Sequence, residues 1–297
     1  MLNPSYVILE VSITVLFLAA CYHAWRRRAF LEIASAAFYG LLLEEGDILI
    51  FGTYHYSPDF ILRIDRVPIA IGLAWAIIIY TCMHLSDAYG VSERFAPFAD
   101  AVWAIMLDIA FDAVAIRIGF WTWVIPLNAG FFGVPAGNFY AWLFVAFSFS
   151  FFTRLARRWN SRQRTRRLWQ LAVPPIAYLG LLFSMIPFFL VRTFFFPESG
   201  GGLPFFWGVL CLFIFLVARE MILGSKLPSA NFDWLLVLLR GSFHIYFLAA
   251  ILVTGIFVSL PVLLYISLGM ILLEISLSLL VWNTSRIAKN VVKQAAA

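Results

Sequence analysis

Nine runs of about twenty predominantly apolar residues dominate this sequence, at 5–25, 30–52, 67–86, 97–119, 138–155, 169–194, 204–224, 231–257 and 260–282. A helix needs that length to cross the hydrocarbon core of a bilayer, and lipid leaves the backbone few other ways to satisfy its polar groups. Hydrophobic residues make up 63% of the 297 and charged ones 12%, far more apolar surface than a water-soluble fold hides. The sequence therefore predicts an all-α, polytopic transmembrane helical bundle of about nine spans, one domain over residues 1–297. The first run is long enough to span and reads as a retained helix, not a cleaved signal. The last boundary is the faintest, marked only by Val258-Ser259-Leu260-Pro261.

Basic residues give the bundle an orientation. Sixteen lie in the odd-numbered loops and the C-terminus, including Arg26, Arg27, Arg28, Arg94, Arg219, Lys226, Arg286, Lys289 and Lys293. Seven of those sixteen crowd into one basic loop, 154–168. The even loops hold four: Arg63, Arg66, Arg117 and Arg192. That asymmetry predicts an N-terminus outside and a C-terminus in the cytoplasm, in the cell's inner membrane. The basic loop is read as a topology anchor, with anionic-lipid contact as the sharper alternative. The net charge of +5 thus belongs to a membrane protein and not to a nucleic-acid-binding domain.

Carboxyl groups interrupt two of the spans. Span two carries Glu44, Glu45 and Asp47, and span four carries Asp108 and Asp112. Each costs about 2.5–3.5 kcal/mol at the centre of a span, roughly 10 kcal/mol for the five after discounting those near an end. Asp108 and Asp112 are four apart and share a helix face. Glu44 and Asp47 share another, while Glu45 is turned about 100° away. Both spans run outward, and Glu44 and Asp112 each lie about 14–15 residues along. At 1.5 Å per residue both sit roughly 20–23 Å from the inner surface. Two acid clusters at one depth predict a shared cavity in the outer half of the bilayer. Lone acids such as Glu10, Glu32, Asp100 and Glu274 read instead as helix-packing hydrogen bonds or helix ends.

The loops on the same side are aromatic and turn-rich. One begins Phe51-Gly52-Thr53-Tyr54-His55-Tyr56, and the other holds Trp121, Trp123, Asn128 and Asn138. An interfacial aromatic belt would explain the rings, but not the amides and tight-turn residues as well.

Other chemistries lack their signatures. There is no HExxH, no CxxC and no run of paired histidines; His23, His55, His84 and His244 are scattered. Cys21, Cys82 and Cys211 sit in apolar runs without metal-type spacing. His84 and Asp87 could pair at the inner end of span three. The only lysines, Lys226, Lys289 and Lys293, lie near the inner surface, which argues against a retinal Schiff base. No Gly-rich phosphate cradle is visible.

In order along the chain stand Phe51-Gly52-x-Tyr54-x-Tyr56, Val67-Pro68 leading to Trp75, Asp108 and Asp112, Gly119-x-Trp121-x-Trp123, and Phe132-Gly133-Val134-Pro135-x-x-Asn138-Phe139-x-x-Trp142. Over about residues 40–145 this resembles the carotenoid 1,2-hydratase family of integral membrane carotenoid-biosynthesis proteins. It departs from that family after the second acid of span four, where Ala113 replaces a frequent proline. The resemblance implies hydration of the terminal double bond of an acyclic carotenoid end to a tertiary alcohol. Lycopene, γ-carotene or a bacterioruberin precursor would be the kind of substrate. It would come sideways from the lipid.

That chemistry asks for a carboxylic acid kept protonated by a greasy setting, aromatic faces for the cation, and a base or amide to order water. Resemblance and depth together nominate Asp108 or Asp112 as proton donor, and Glu44 or Glu45 as the partner ordering water. Tyr54, Tyr56, Trp121, Trp123, Asn138 and Asp47 are then expected to bind substrate. No cofactor and no metal are demanded, and lipid is the expected surrounding. Three rivals remain at this point: a carotenoid cyclase using the same protonation, a magnesium-dependent intramembrane prenyltransferase, and a proton-coupled transporter.

Overall fold

The computed structural model describes residues 4–160, 169–223 and 233–295. It is an all-α bundle, 79% helical. The helices are α1 (Pro4–Arg26), α2 (Phe30–Phe51), α3 (Ile69–Ala88), α4 (Ala96–Ile118), α5 (Ala136–Asn160), α6 (Trp169–Phe195), α7 (Leu203–Leu223), α8 (Trp234–Val253), the single turn α9 (Ile256–Ser259) and α10 (Pro261–Ala295). Four short strands, β1 (Tyr54–Tyr56), β2 (Arg63–Ile64), β3 (Val67–Pro68) and β4 (Trp121–Trp123), lie in the connections.

Each expected span coincides with a long helix to within a few residues, apart from three ends. The eighth stops at Val253 because Thr254 and the left-handed Gly255 break it. The ninth runs on to Ala295. The fifth continues to Asn160, so the expected basic loop begins as helix. Among the described residues, seven helices are long and apolar enough to cross a membrane; α2 and α4 are as long but carry the acid clusters.

Acids explain the extension of α5. Arg154 meets Asp87 at 2.5 Å and Asp100 at 3.2 Å, Arg157 meets Glu32 at 2.5 Å, and Arg158 meets Glu93 at 2.6 Å. These charges therefore tie α5 to the other helices instead of ending it. The rest of the basic run, Arg162, Arg164, Arg166 and Arg167, lies outside the described residues, as does Lys226. Asp87 is engaged by Arg154 and Arg157, which corrects the His84–Asp87 pairing; the His84 Nε2 has no hydrogen-bond partner.

α4 is the axis of the bundle. It packs against α3, α5, α7, α8 and α10, and nearly all its side chains are buried. A helix covered on every side needs no polar face, so its two mid-helix acids are not there to meet solvent. α2 reaches the core through α3. A Cβ on Gly40 would stand 2.6 Å from the Trp75 Cβ, so only glycine allows this approach. The large exposed side chains of α6, α7 and α10, such as Phe183, Phe215 and Tyr265, face outward as a lipid-facing surface would.

The lone acids have partners too. Glu10 accepts from the backbone N–H of Ile61 and Leu62, and the Asp100 carboxylate accepts from Ser150. Arg240, in the eighth span, is fully buried against Glu274 at 2.5 Å.

Candidate active site

The two acid-bearing helices end alike. Gly52 caps α2 and Gly119 caps α4, both in the left-handed region that glycine adopts without strain. Each glycine turns the chain into a short strand. β1 and β4 then pair antiparallel, with Tyr54 opposite Trp123, His55 opposite Thr122 and Tyr56 opposite Trp121. Strand side chains alternate between faces, so His55 and Thr122 are exposed while the four rings turn inward over the acids. Tyr54 packs tilted against Trp123 at 4.8 Å between centroids.

A second turn brings the amide. Phe132 and Gly133 both have positive φ, and the Arg117 guanidinium donates to the Phe132 carbonyl at 2.8 Å. Pro135 then leads directly into α5, whose first turn carries Asn138 to α4. The Asn138 Nδ2 donates to the Asp108 Oδ2 at 3.0 Å and to the Asp112 Oδ2 at 2.6 Å. One amide thus joins the two aspartates, one helical turn apart.

The three innermost carboxyls are not equally served. Glu44 has three donors: Tyr54 and the Tyr56 hydroxyl at 2.6 Å on one oxygen, and the Trp75 Nε1 at 2.6 Å on the other. Asp112 has two, Asn138 and the Trp121 Nε1 at 2.7 Å. Among the described residues Asp108 has Asn138 alone, and its Oδ1 is buried with no partner. Burial and the adjacent Glu44 carboxyl push the Tyr54 and Tyr56 hydroxyls well above the ordinary phenol range, so both remain donors.

These groups line one cavity of about 440 Å³, within the roughly 300–1,000 Å³ of small-molecule sites. Its walls are largely apolar and aromatic. Trp75 packs tilted against Trp142 at 4.1 Å, and Phe111 stacks on Phe247 at 4.7 Å. Its lining also takes in Arg192 and the 199–201 loop, and Leu9 and Ile13 of α1 with Phe243 and Phe247 of α8.

Glu44, Asp47, Asp108, Asp112, Tyr54, Tyr56, Trp121, Trp123 and Asn138 all line this cavity. Asp47 accepts from the Tyr178 hydroxyl at 3.3 Å. Glu45 is the exception. It faces away and accepts from the Arg66 backbone N–H at 3.3 Å, as its angular offset from Glu44 dictates. Trp75 and Trp142 belong to the motif residues but had no assigned role; they bond and wall the site. Tyr178, Phe243 and Phe247 had no sequence signal, since an aromatic ring within an apolar run looks the same whether it faces a cavity or a neighbour. Among the described residues no three His, Cys, Asp or Glu side chains are placed to hold one metal ion.

A family model described as carotenoid biosynthesis protein matches residues 2–203, more than half of the chain. No curated protein and no solved structure matches. The chain belongs to the carotenoid biosynthesis protein family.

Proposed function

We propose that this member of the carotenoid biosynthesis protein family hydrates the terminal double bond of an acyclic carotenoid end, acting as a hydro-lyase without a cofactor. The observation that carries the reading is the unequal hydrogen bonding of the three carboxyls. An alkene is a poor base, so the donor has to present its proton to carbon and to no competing acceptor. Glu44 and Asp112 have their oxygens occupied by N–H and O–H donors, an arrangement suited to carboxylates. Asp108 has a bare oxygen in an apolar chamber, the position from which a carboxylic acid can give a proton to hydrocarbon.

The sequence of events is then short. The Asp108 proton goes to the alkene CH carbon, leaving a cation on the carbon that bears two methyl groups. The faces of Trp121, Trp123 and Trp75 and the negative charge of Glu44 stabilise it. Water adds its oxygen to the cation and gives one proton to Asp112. The proton passes back to Asp108 between two carboxyls that share the Asn138 amide. The substrate gains H and OH, and the protein is restored. Water is supplied from the polar end, past Arg192 and the 199–201 loop. In the orientation read from the basic residues, this end faces outside the inner membrane.

Expression in a lycopene-accumulating bacterium tests the reading. The expected pigment is more polar and heavier by one water per modified end. Unchanged pigment beside membrane-inserted protein overturns it, and a pigment of unchanged mass but altered rings assigns cyclisation instead.

A further inference from the structure

A second cavity of about 430 Å³ lies between α1 and α8. It shares Leu9, Ile13, Phe243 and Phe247 with the acid cavity, so the two adjoin across these side chains. α1 and α8 run side by side but pack along only a short stretch. They are tied at one end, where the Tyr246 hydroxyl donates to the Ser5 carbonyl at 3.1 Å. The lips of the gap are apolar: Val11 and Val15 are 58% and 59% exposed on one side, Ile245 69% on the other. Its only small polar side chains are Ser12 and Ser242, and the Ser242 hydroxyl is bonded to its own helix at the Leu238 carbonyl.

The geometry points to this groove as the lateral port and tail site of the enzyme, holding the long polyene of the substrate while its end group lies against Asp108. The inference rests on the hydratase reading and adds to it where the rest of the substrate goes. Two observations favour a polyene over other occupants. The side chains at the inner wall of the groove are also walls of the acid cavity, so a chain that passes between them delivers its terminus to the acids. The acid cavity is lined elsewhere by Arg192 and the 199–201 loop, polar surroundings that a hydrocarbon does not match. Depth agrees as well. Leu9 and Ile13 lie five and nine residues from the start of α1, while Asp112 and Asp108 lie six and ten from the end of α4, which finishes on the same side of the bundle.

The test plugs the groove from either wall without touching the acid cavity. Ser12→Trp and Ser242→Trp are compared with wild type and with Leu179→Trp, a lipid-facing control on α6. Each is expressed in lycopene-accumulating cells, and the pigment retained per purified protein is read by absorbance. Hydration of added myrcene, a short acyclic terpene with the same terminal alkene, is measured in parallel. The expected result is retention of lycopene by wild type and the control, and a drop of about tenfold or more in both plugged variants. Losing the contact of only two methylene-sized groups corresponds to that factor. Myrcene hydration should stay at the wild-type level, which also shows that the plugged proteins are folded. Wild-type lycopene retention in both plugged variants overturns the inference and leaves the groove to lipid acyl chains. If wild type retains lycopene but hydrates neither compound, the hydratase reading fails, and the groove is judged on retention alone.

Discussion

Replacing Asp108 with asparagine separates the proton donor from the rest of the site. The substitution changes almost no volume. The asparagine carbonyl can still accept from the Asn138 Nδ2, now 3.0 Å from the Asp108 Oδ2. Its other polar atom takes the place of an oxygen that already has no partner. Folding should therefore change by about 1 kcal/mol or less, the scale of one ordinary hydrogen bond. The reaction loses its acid. A positioned general acid contributes about 10²–10⁴ in rate, or roughly 3–5.5 kcal/mol of barrier. Hydrated pigment should fall at least a hundredfold in lycopene-accumulating cells, scored by mass and chromatographic polarity and normalised to protein in the membrane.

The contrast with Asp112→Asn sharpens the assignment. Both oxygens of Asp112 accept from N–H groups, so an amide there sets one donor against another. That mismatch costs about 1–3 kcal/mol, and turnover should fall along with thermal stability in detergent. Asp108→Asn should lower turnover alone. Turnover within about threefold of wild type at equal abundance, for Asp108→Asn, would refute the argument from unequal hydrogen bonding.

Tyr54→Phe and Tyr56→Phe each remove one donor from the same Glu44 oxygen, so the double variant should lose a different amount from the sum of the singles, by about 0.5–3 kcal/mol in a thermal-stability cycle. Additive losses would mean the two hydroxyls act separately. Glu45→Gln should leave pigment turnover unchanged, because its carboxyl faces the Arg66 backbone and not the cavity; a marked loss would bring it into the chemistry. Arg240→Leu should destabilise the protein by about 3–5 kcal/mol by taking the guanidinium from the buried Glu274, which keeps His244 Nε2 at 3.8 Å, and adding Glu274→Leu should recover most of that. Equal melting temperatures for the single and double variants would contradict it.

The helices and the convergence of the α2 and α4 acids on one cavity were legible because both follow from length. A span needs about twenty residues, and residue count along a span gives depth. Glu44 and Glu45 could not be told apart by depth, only by the 100° between them, and the direction of each depends on where α3 packs. The strands escaped notice because a three-residue segment has too little alternation to stand out. Tyr54-His55-Tyr56 and Trp121-Thr122-Trp123 do alternate, yet their pairing spans more than sixty residues and is fixed by the glycine caps of two helices. The basic run misled in the opposite way. Arg154 looks like a solvated loop residue until Asp87 and Asp100, from other helices, are placed beside it. Long-range charge partners are not visible in a linear pattern.

The family match ends at residue 203, before α8 begins, yet α8 closes the chamber. All the acids of the cavity, the rings of β1 and β4 and Asn138 lie within the matched part. Phe243 and Phe247, which wall the acids and form the inner end of the groove, lie outside it. Their position depends on the buried pair one turn below. The Arg240 guanidinium bonds Glu274 on α10, the Trp103 carbonyl on α4 at 2.8 Å and the Cys82 Sγ on α3 at 3.1 Å. It therefore fastens α8 to the axial helix that carries both aspartates. Because Phe243 follows Arg240 by three residues, it shares the same face and turns toward the same helix. On the hydration reading, a chamber whose acids come from one part of the chain and whose hydrocarbon wall comes from another would change its substrate length by changes in α8, with the proton chemistry left as it is.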